Sequence, residues 1–378
     1  MFKRRIFTEE QNIFRENVSK FFKKEILPNH SKWEKEGMVP KDFWLKAGEN
    51  GLLCPNAPKK YGGIEGDFRF NVIVVEELAK IGASGPGFAV HSDIVTPYFI
   101  NYGSEKQKNS YLPKMIKGEI ITAIAMSEPE TGSDLQNIKT KASINDNSIV
   151  LNGSKTFITN GQNADVILVV AKTDTSKGAK GISILLCEKN RKGFKKGKNL
   201  KKIGMKAQDT SELFFDEVIL PKENILGAPG FGFVQLMDEL PQERLSIAVS
   251  AISAAEAALN WTISYAKERS AFNKKIIEFQ NTKFTLAKLK SEVTVARTFI
   301  DRCIKEHINN NFTAEDGAIA KLWTTELQFK VIDECLQLHG GYGYMEEYPI
   351  SRAFIDSRVQ RIYGGTNEIM KEIISRNL

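Results

Sequence analysis

The sequence predicts an α+β protein in three consecutive parts: an N-terminal helical domain over residues 1–120, a small central β-barrel or sandwich over 121–226, and a C-terminal helical bundle over 227–378. Three observations carry this expectation. Apolar residues recur at spacings of three and four in both outer parts. Short β-prone runs separated by turn-rich stretches crowd the middle. The changes of pattern fall near residues 121 and 227, and 378 residues suffice for two or three domains with a buried core.

In the first part, Thr8 and Gln11 form a candidate capping box. Phe14, Val18, Phe21 and Phe22 follow at helical spacing, and Pro28 stops the run. A second helical pattern runs from Phe70 to Ile81 and ends at Gly82, while Pro55 to Asp67 is rich in Gly and Pro and reads as loop. In the middle part, Ile149-Val150-Leu151 and Thr156-Phe157-Ile158-Thr159 flank Asn152-Gly153. Both central residues of a type I′ turn need positive φ, so Asn-Gly between β-prone runs predicts a hairpin turn there. Val166–Ala171, Ile182–Leu186 and Leu213–Leu220 are further strands. In the third part Leu286, Leu289, Val293, Ala296, Ile300 and Cys303 form a bundle seam. Thr313 and Asp316 cap the next helix, which ends around His339-Gly340-Gly341.

Composition excludes several functions. The net charge is +7, but acidic residues are interleaved with the basic ones. The densest basic stretch, Lys189 to Lys206, has Phe194 as its sole aromatic and reads as a solvated surface, not a nucleic-acid site. A mild positive balance suits an anionic small molecule through steering. No apolar run approaches the roughly 20 residues of a membrane span. Met1 to Phe7 has two arginines with no apolar run behind it, so no secretory signal is expected. Cys54, Cys187, Cys303 and Cys335, like His30, His91, His307 and His339, lack metal-ligand spacing. No metal site is expected, and the cysteines read as small buried apolar residues of a reducing compartment.

Four local motifs carry chemistry. They are Ala125-Met126-Ser127-Glu128-Pro129-Glu130-Thr131-Gly132-Ser133-Asp134; Phe157-Ile158-Thr159-Asn160-Gly161; Glu268-Arg269-Ser270-Ala271-Phe272; and Gln337-Leu338-His339-Gly340-Gly341, followed by Ile362-Tyr363-Gly364-Gly365-Thr366-Asn367-Glu368-Ile369. Singly, they have plainer readings: Glu-Pro-x-x-Gly-Ser as a turn, Phe-Ile-Thr as a strand, Gly-Gly after a helix as a C-cap. In this order across an α–β–α plan, they resemble the acyl-CoA dehydrogenase family over essentially the whole chain. Leu240-Pro241-Gln242-Glu243-Arg244, Lys206-Ala207-Gln208-Asp209-Thr210 and Ser84-Gly85-Pro86-Gly87-Phe88 resemble its long-chain branch most closely.

The resemblance implies a flavoprotein that oxidises the Cα–Cβ bond of a fatty acyl-CoA to a trans-2-enoyl-CoA in β-oxidation. It implies non-covalent FAD, an electron-transferring flavoprotein as acceptor and a homotetramer. Ile124, Ala125, Met126 and Ser127 match positions along the isoalloxazine ring, and Ser133 one beside phosphate and substrate. Phe157, Ile158 and Thr159 match the strand on the flavin face, where many relatives carry Trp in place of Phe157. Arg269, Phe272, Gln280, Gln337, Gly340 and Gly341 match residues holding the adenine and pyrophosphate end across a subunit interface. An Arg fork suits phosphate oxygens, and Gly admits close backbone approach. Asn273 stands where relatives often have Gly. Thr366 and Glu368 match the last cofactor contacts.

Many relatives carry their base in a C-terminal Tyr-Glu-Gly-Thr loop; this chain has Tyr363-Gly364-Gly365-Thr366. The long-chain and isovaleryl branches place the base on a helix instead, where Glu243 falls. Pro241 is expected to kink or restart that helix just before it. By resemblance, Glu243 takes the α-proton while the β-hydrogen leaves as hydride, and Gln242, Arg244, Gly364 and Gly365 join Ser133 around the substrate. An acyl-CoA oxidase and a catalytically silent FAD-binding scaffold remain the alternatives. The chain starts about where the mature family fold starts, which implies a bacterial cytoplasmic or a trimmed mitochondrial-matrix protein.

Overall fold

The computed structural model describes residues 4–378; Met1 to Lys3, where the reading of the N-terminus begins, lie outside the described residues. Helix α1 (Glu9–Glu25) starts at the expected capping box, with reciprocal bonds between Thr8 and Gln11. It is followed by α2 (His30–Glu36), α3 (Lys41–Glu49) and α4 (Phe68–Lys80), the last stopped by Gly82 at φ 64°. The stretch after Gly82, where the sequence pattern marks no element, holds a π-helical turn (Val90–Val95). That turn runs into α5 (Thr96–Tyr102), and α6 (Glu105–Ile116) follows.

The middle part is a seven-stranded curled sheet of β1 (Thr122–Ala125), β2 (Lys141–Ile144), β3 (Ser148–Thr159), β4 (Val166–Lys172), β5 (Ile182–Glu188), β6 (Phe194–Asn199) and β7 (Thr210–Pro221). The order is β1-β4-β2-β3-β7-β6, with β5 also paired to β4. β4 alternates between two cores. Val166, Leu168 and Val170 pack with the N-terminal helices, while Ile167, Val169 and Ala171 pack inside the sheet domain. Its unbroken apolar run is the mark of a strand buried on both faces.

The expected turn at Asn152-Gly153 is absent. β3 runs straight through it, and the chain reverses instead between Asn145 and Ser148, whose backbones bond at 2.8 Å. The Asn152 amide is held by Glu217 in a bulge of β7. Gly153, at φ 146°, lies where a Cβ would come within 2.5 Å of Thr140. This Gly marks a close strand approach rather than a turn.

The third part opens with α7 (Gly232–Glu268), a helix of 37 residues. The short hairpin of β8 (Ser270–Ala271) and β9 (Lys274–Lys275) follows, then α8 (Gln280–Ile308), α9 (Ala314–His339), α10 (Pro349–Ser357) and α11 (Asn367–Ser375). The predicted α8 seam is buried, and α9 starts at the predicted Thr313–Asp316 box. Pro241 does not restart α7, which is continuous through it. The proline only removes the N–H that residue 237 would have bonded, and Gly317 of α9 packs against its Cα and carbonyl. No helix among the described residues is long and apolar enough to cross a membrane.

One charge cluster ties the helices together. Glu76 of α4 is buried and meets Arg4, Arg15 and Arg297 at 2.8, 2.7 and 3.0 Å. Arg297 of α8 also reaches Glu256 and the Ser253 hydroxyl on α7. Burial opposes charge on Glu76, but the three guanidiniums prevail and hold its carboxyl at about 2. Its stabilising effect is therefore complete above the ordinary value of 4.5 and is lost as pH falls through about 2. Replacing Glu76 by Gln removes the carboxylate all three guanidiniums share and leaves each with one partner, Asp301, Glu77 or Glu256, so stability at neutral pH should fall by roughly 3 kcal/mol. Urea midpoints of Glu76→Gln and wild type should differ most above pH 4.5 and converge at strongly acid pH.

Candidate active site

A cavity of about 650 Å³ lies where the sheet domain meets the two helical parts. The β1 end contributes Ile124, Met126 and Ser127 to its wall. The segment behind them is anchored from below. Glu128 accepts hydrogen bonds from the Thr140 backbone N–H at 3.0 Å and the Lys155 ammonium at 2.9 Å, and Lys155 also donates to the Met126 carbonyl at 2.8 Å. Lys155 is almost fully buried, which pulls its ammonium down to about 8.

Immediately beyond Lys155, β3 bulges: Lys155 pairs with Leu213 but Ile158 with Ser211, so β3 carries one extra residue. Phe157 takes φ 59° and its ring is thrown out of the sheet, 71% exposed, onto the cavity wall beside Thr159. A bulge re-aims a side chain in this way. An exposed, apolar, flat face flanked by the Ser127 and Thr159 hydroxyls fits a planar ring with polar edges. At Gly132 a Cβ would meet nothing within 4 Å, leaving room for a ligand chain over the loop. The residues present fit a flavin.

The opposite wall is α7. Leu240, Glu243, Arg244, Ile247, Ser250, Ala254 and Trp261 face the cavity along successive turns. Glu243 is 5% exposed. Burial is the largest influence on its carboxyl; hydrogen bonding from Tyr98 (3.2 Å) and the charge of Arg244 oppose it, and Glu239 adds to it, leaving the group at about 7. A buried carboxyl poised near neutrality in a cleft is suited to take a proton. Arg244 is buried with no ion pair among the described residues; burial lowers its affinity for its proton, and Glu243 counteracts this. Its Nε donates to the Gly364 carbonyl at 3.4 Å, and Lys321 donates to the Gly365 carbonyl at 2.8 Å. Gly364 and Gly365 sit at φ 65° and 91°, and a Cβ on either would collide with Ile247 or Met370. The Gly364 N–H has no protein partner among the described residues.

The cavity thus gathers Ile124, Met126, Ser127, Ser133, Phe157, Ile158, Thr159, Glu243, Arg244, Gly364 and Gly365. Other predicted residues lie elsewhere. Ala125 is fully buried. Gln242 bonds the Asp93 carbonyl at 2.6 Å and His307 at 2.9 Å. Thr366 caps α11, accepting from Ile369, and Glu368 is exposed next to it. Arg269, Gln280, Gln337, Gly340 and Gly341 are all exposed, the Arg269 guanidinium lying 5.4 Å from the Tyr342 ring, and Phe272 at the hairpin tip is 89% exposed. Asn273 adopts φ 62°, the left-handed conformation Gly would have supplied. Sequence reasoning missed Tyr98, which reaches Glu243 across 145 positions with no local signal. It also missed the Lys155–Glu128 anchor, although a Lys inside a β-prone run was a visible oddity.

Comparison with known proteins agrees with this architecture. Residues 8–119, 123–218 and 230–378 match the N-terminal, middle and C-terminal domains of acyl-CoA dehydrogenase. A mitochondrial long-chain specific acyl-CoA dehydrogenase of Sus scrofa is 51% identical over 99% of this chain and 88% of its own length. The crystal structure of an acyl-CoA dehydrogenase from Geobacillus kaustophilus superposes with a TM-score of 0.97 at 48% identity, covering 99% of both chains. A glutaryl-CoA dehydrogenase from Mycobacterium smegmatis in complex with FADH2 gives 0.92 at 27% identity, over 99% of this chain and 95% of that one.

The raised Glu243 carboxyl has a consequence for folding. Between its ordinary 4.5 and about 7 the native protein holds a proton the unfolded chain has lost, so stability falls as pH rises across that window. Above pH 7 the burden amounts to roughly 3 kcal/mol. Glu243→Gln should relieve it: thermal midpoints of the variant should lie above wild type in mildly alkaline buffer and meet it near pH 4.5.

Proposed function

The chain belongs to the acyl-CoA dehydrogenase family, and we propose that it converts a long-chain fatty acyl-CoA to its trans-2-enoyl-CoA, with Glu243 taking the α-proton. The observation that carries this is a buried carboxyl held at about 7 on the wall of an apolar cavity, across from the displaced Phe157 face.

An α-C–H beside a thioester is a weak acid, so charge developing on the carbonyl oxygen needs donors aimed at it. The unpartnered N–H of Gly364 supplies one, its loop pinned by Arg244 and Lys321 through the two glycine carbonyls. Water-poor walls of Leu240, Ile247 and Ile94 keep Glu243 protonatable near neutral pH. Phe157, Thr159, Ser127 and Ser133 would hold FAD, which supplies the hydride acceptor when bound. Arg244 balances the charge of Glu243 and borders the reacting end. Electrons then pass to an electron-transferring flavoprotein.

The preference for long chains is supported by the depth of the cavity. From Glu243 its lining continues along α7 to Ala254, about 16 Å at the helical rise, and on to Trp261. Small side chains, Ser250 and Ala254, leave this stretch open.

Anaerobic titration of the yellow protein with acyl-CoAs of rising length tests the reading. Flavin absorbance should bleach, most completely with long chains, and Glu243→Gln should lower the reduction rate by about 10³-fold or more, within the span attributed to general acid–base catalysis. Ala254→Leu should move the optimum to shorter chains while leaving the shorter substrates' rates intact. A protein that holds FAD but is bleached by no acyl-CoA would be a scaffold instead. Fast reoxidation by oxygen alone would point to an oxidase.

A further inference from the structure

Behind the base, away from the cavity, α5 and α7 meet in two polar rungs. Glu239 and Glu243 lie one turn apart on the same face of α7, and Tyr98 and Asn101 lie three residues apart on the same face of α5. The Tyr98 hydroxyl donates to Glu243 Oε1 at 3.2 Å, and the Asn101 amide donates to Glu239 Oε1 at 2.7 Å. The Tyr98–Glu243 rung is interior, with Tyr98 0% exposed, whereas Glu239 is buried but takes its bond from Asn101 at the surface. Neither Tyr98 nor Glu239 lines the cavity.

Resting on the reading of Glu243 as base, we propose that Tyr98 is its positioning residue: the phenol occupies Oε1 from behind, leaves the other oxygen for the substrate, and favours the anion that accepts the proton. Asn101 is part of the arrangement. By engaging Glu239 it leaves the Tyr98 hydroxyl a single carboxylate to serve. A buried carboxylate pair one turn apart would otherwise compete for that one donor. The other groups facing the site set the balance. Arg244 opposes burial, Glu239 adds to it, Lys321 faces Arg244 from α9, and Asp93 is occupied by Asn71 and Ser246.

The sign is fixed by geometry. A donor to the carboxylate stabilises its charged form, so losing it raises the pH at which Glu243 becomes active. In the holoenzyme, the acid limb of anaerobic flavin reduction should move up by about one pH unit in Tyr98→Phe, slowing reduction about tenfold below the limb. Acyl-CoA binding should be unchanged. Tyr102→Phe, whose hydroxyl bonds the exposed Asp238 on the same helix pair, serves as control and should leave the limb in place. Replacing Tyr98 with 3,5-difluorotyrosine keeps the shape but strengthens donation, and should move the limb down; this arm stands even if Tyr98→Phe folds poorly. Limbs unmoved by both replacements would overturn the proposal.

A second readout needs no turnover. In 13C-glutamate-labelled enzyme, the Glu243 carboxyl signal, assigned by its loss in Glu243→Gln, should titrate higher in Tyr98→Phe. If that shift occurs while no acyl-CoA bleaches the wild type, the reaction is wrong and the Tyr98 coupling stands. If wild type is bleached but the titration does not move, the reaction stands and the coupling fails.

Discussion

Withdrawal of one carboxyl group from water is the constraint around which the structure is arranged. Glu243 is buried on the face of α7 that lines the cavity between the sheet domain and the helical parts. An isolated buried carboxylate is costly, and the surroundings temper the cost without removing it. Tyr98 and Arg244 favour the charge, while apolar walls and Glu239 resist it. The balance leaves a group that can hold or release a proton near neutral pH. Elsewhere the protein resolves the same conflict differently. Glu76, equally buried, is surrounded by three arginines and kept charged down to a pH of about 2. One carboxylate stays charged because its partners are in excess, and the other can exchange a proton near neutral pH because they are not.

Much of this was legible in the sequence because it is local. The Thr8–Gln11 and Thr313–Asp316 boxes, the α8 seam and the two-sided apolar runs of β4 and β5 follow from nearest-neighbour chemistry. Asn152-Gly153 misled because the same dipeptide serves two purposes. A positive-φ turn and a glycine admitting a neighbouring strand look alike until Thr140 and Glu217 are seen beside it. The stretch holding the π-helical turn and α5 carries no strong periodicity, so Tyr98 and Asn101 had no signal at all. Long-range polar contacts leave no trace in spacing.

The site residues divide along the same line. Those brought into the cavity sit at the ends of β1 and β3, on one face of α7 and in the double-glycine loop. The bulge that turns Phe157 outward was hidden, since it depends on pairing with β7, not on β3's own residues. Arg269, Phe272, Gln280, Gln337, Gly340 and Gly341 are a second set, all exposed. The cavity lining includes none of this second set. A cofactor touching both has to extend between them or meet the second group from a neighbouring copy.

Gly317 gives the arrangement a further property. A Cβ there would lie 3.2 and 3.3 Å from the Cα and carbonyl oxygen of Pro241, on the turn preceding Glu243. The backbone just before Glu243 is thus given room by the absence of an atom on another helix. For directed evolution this is a steric dial remote from the ligand. A methyl group at position 317 would press on the backbone two residues before Glu243 without altering any residue of the cavity lining, so libraries confined to that lining would overlook it.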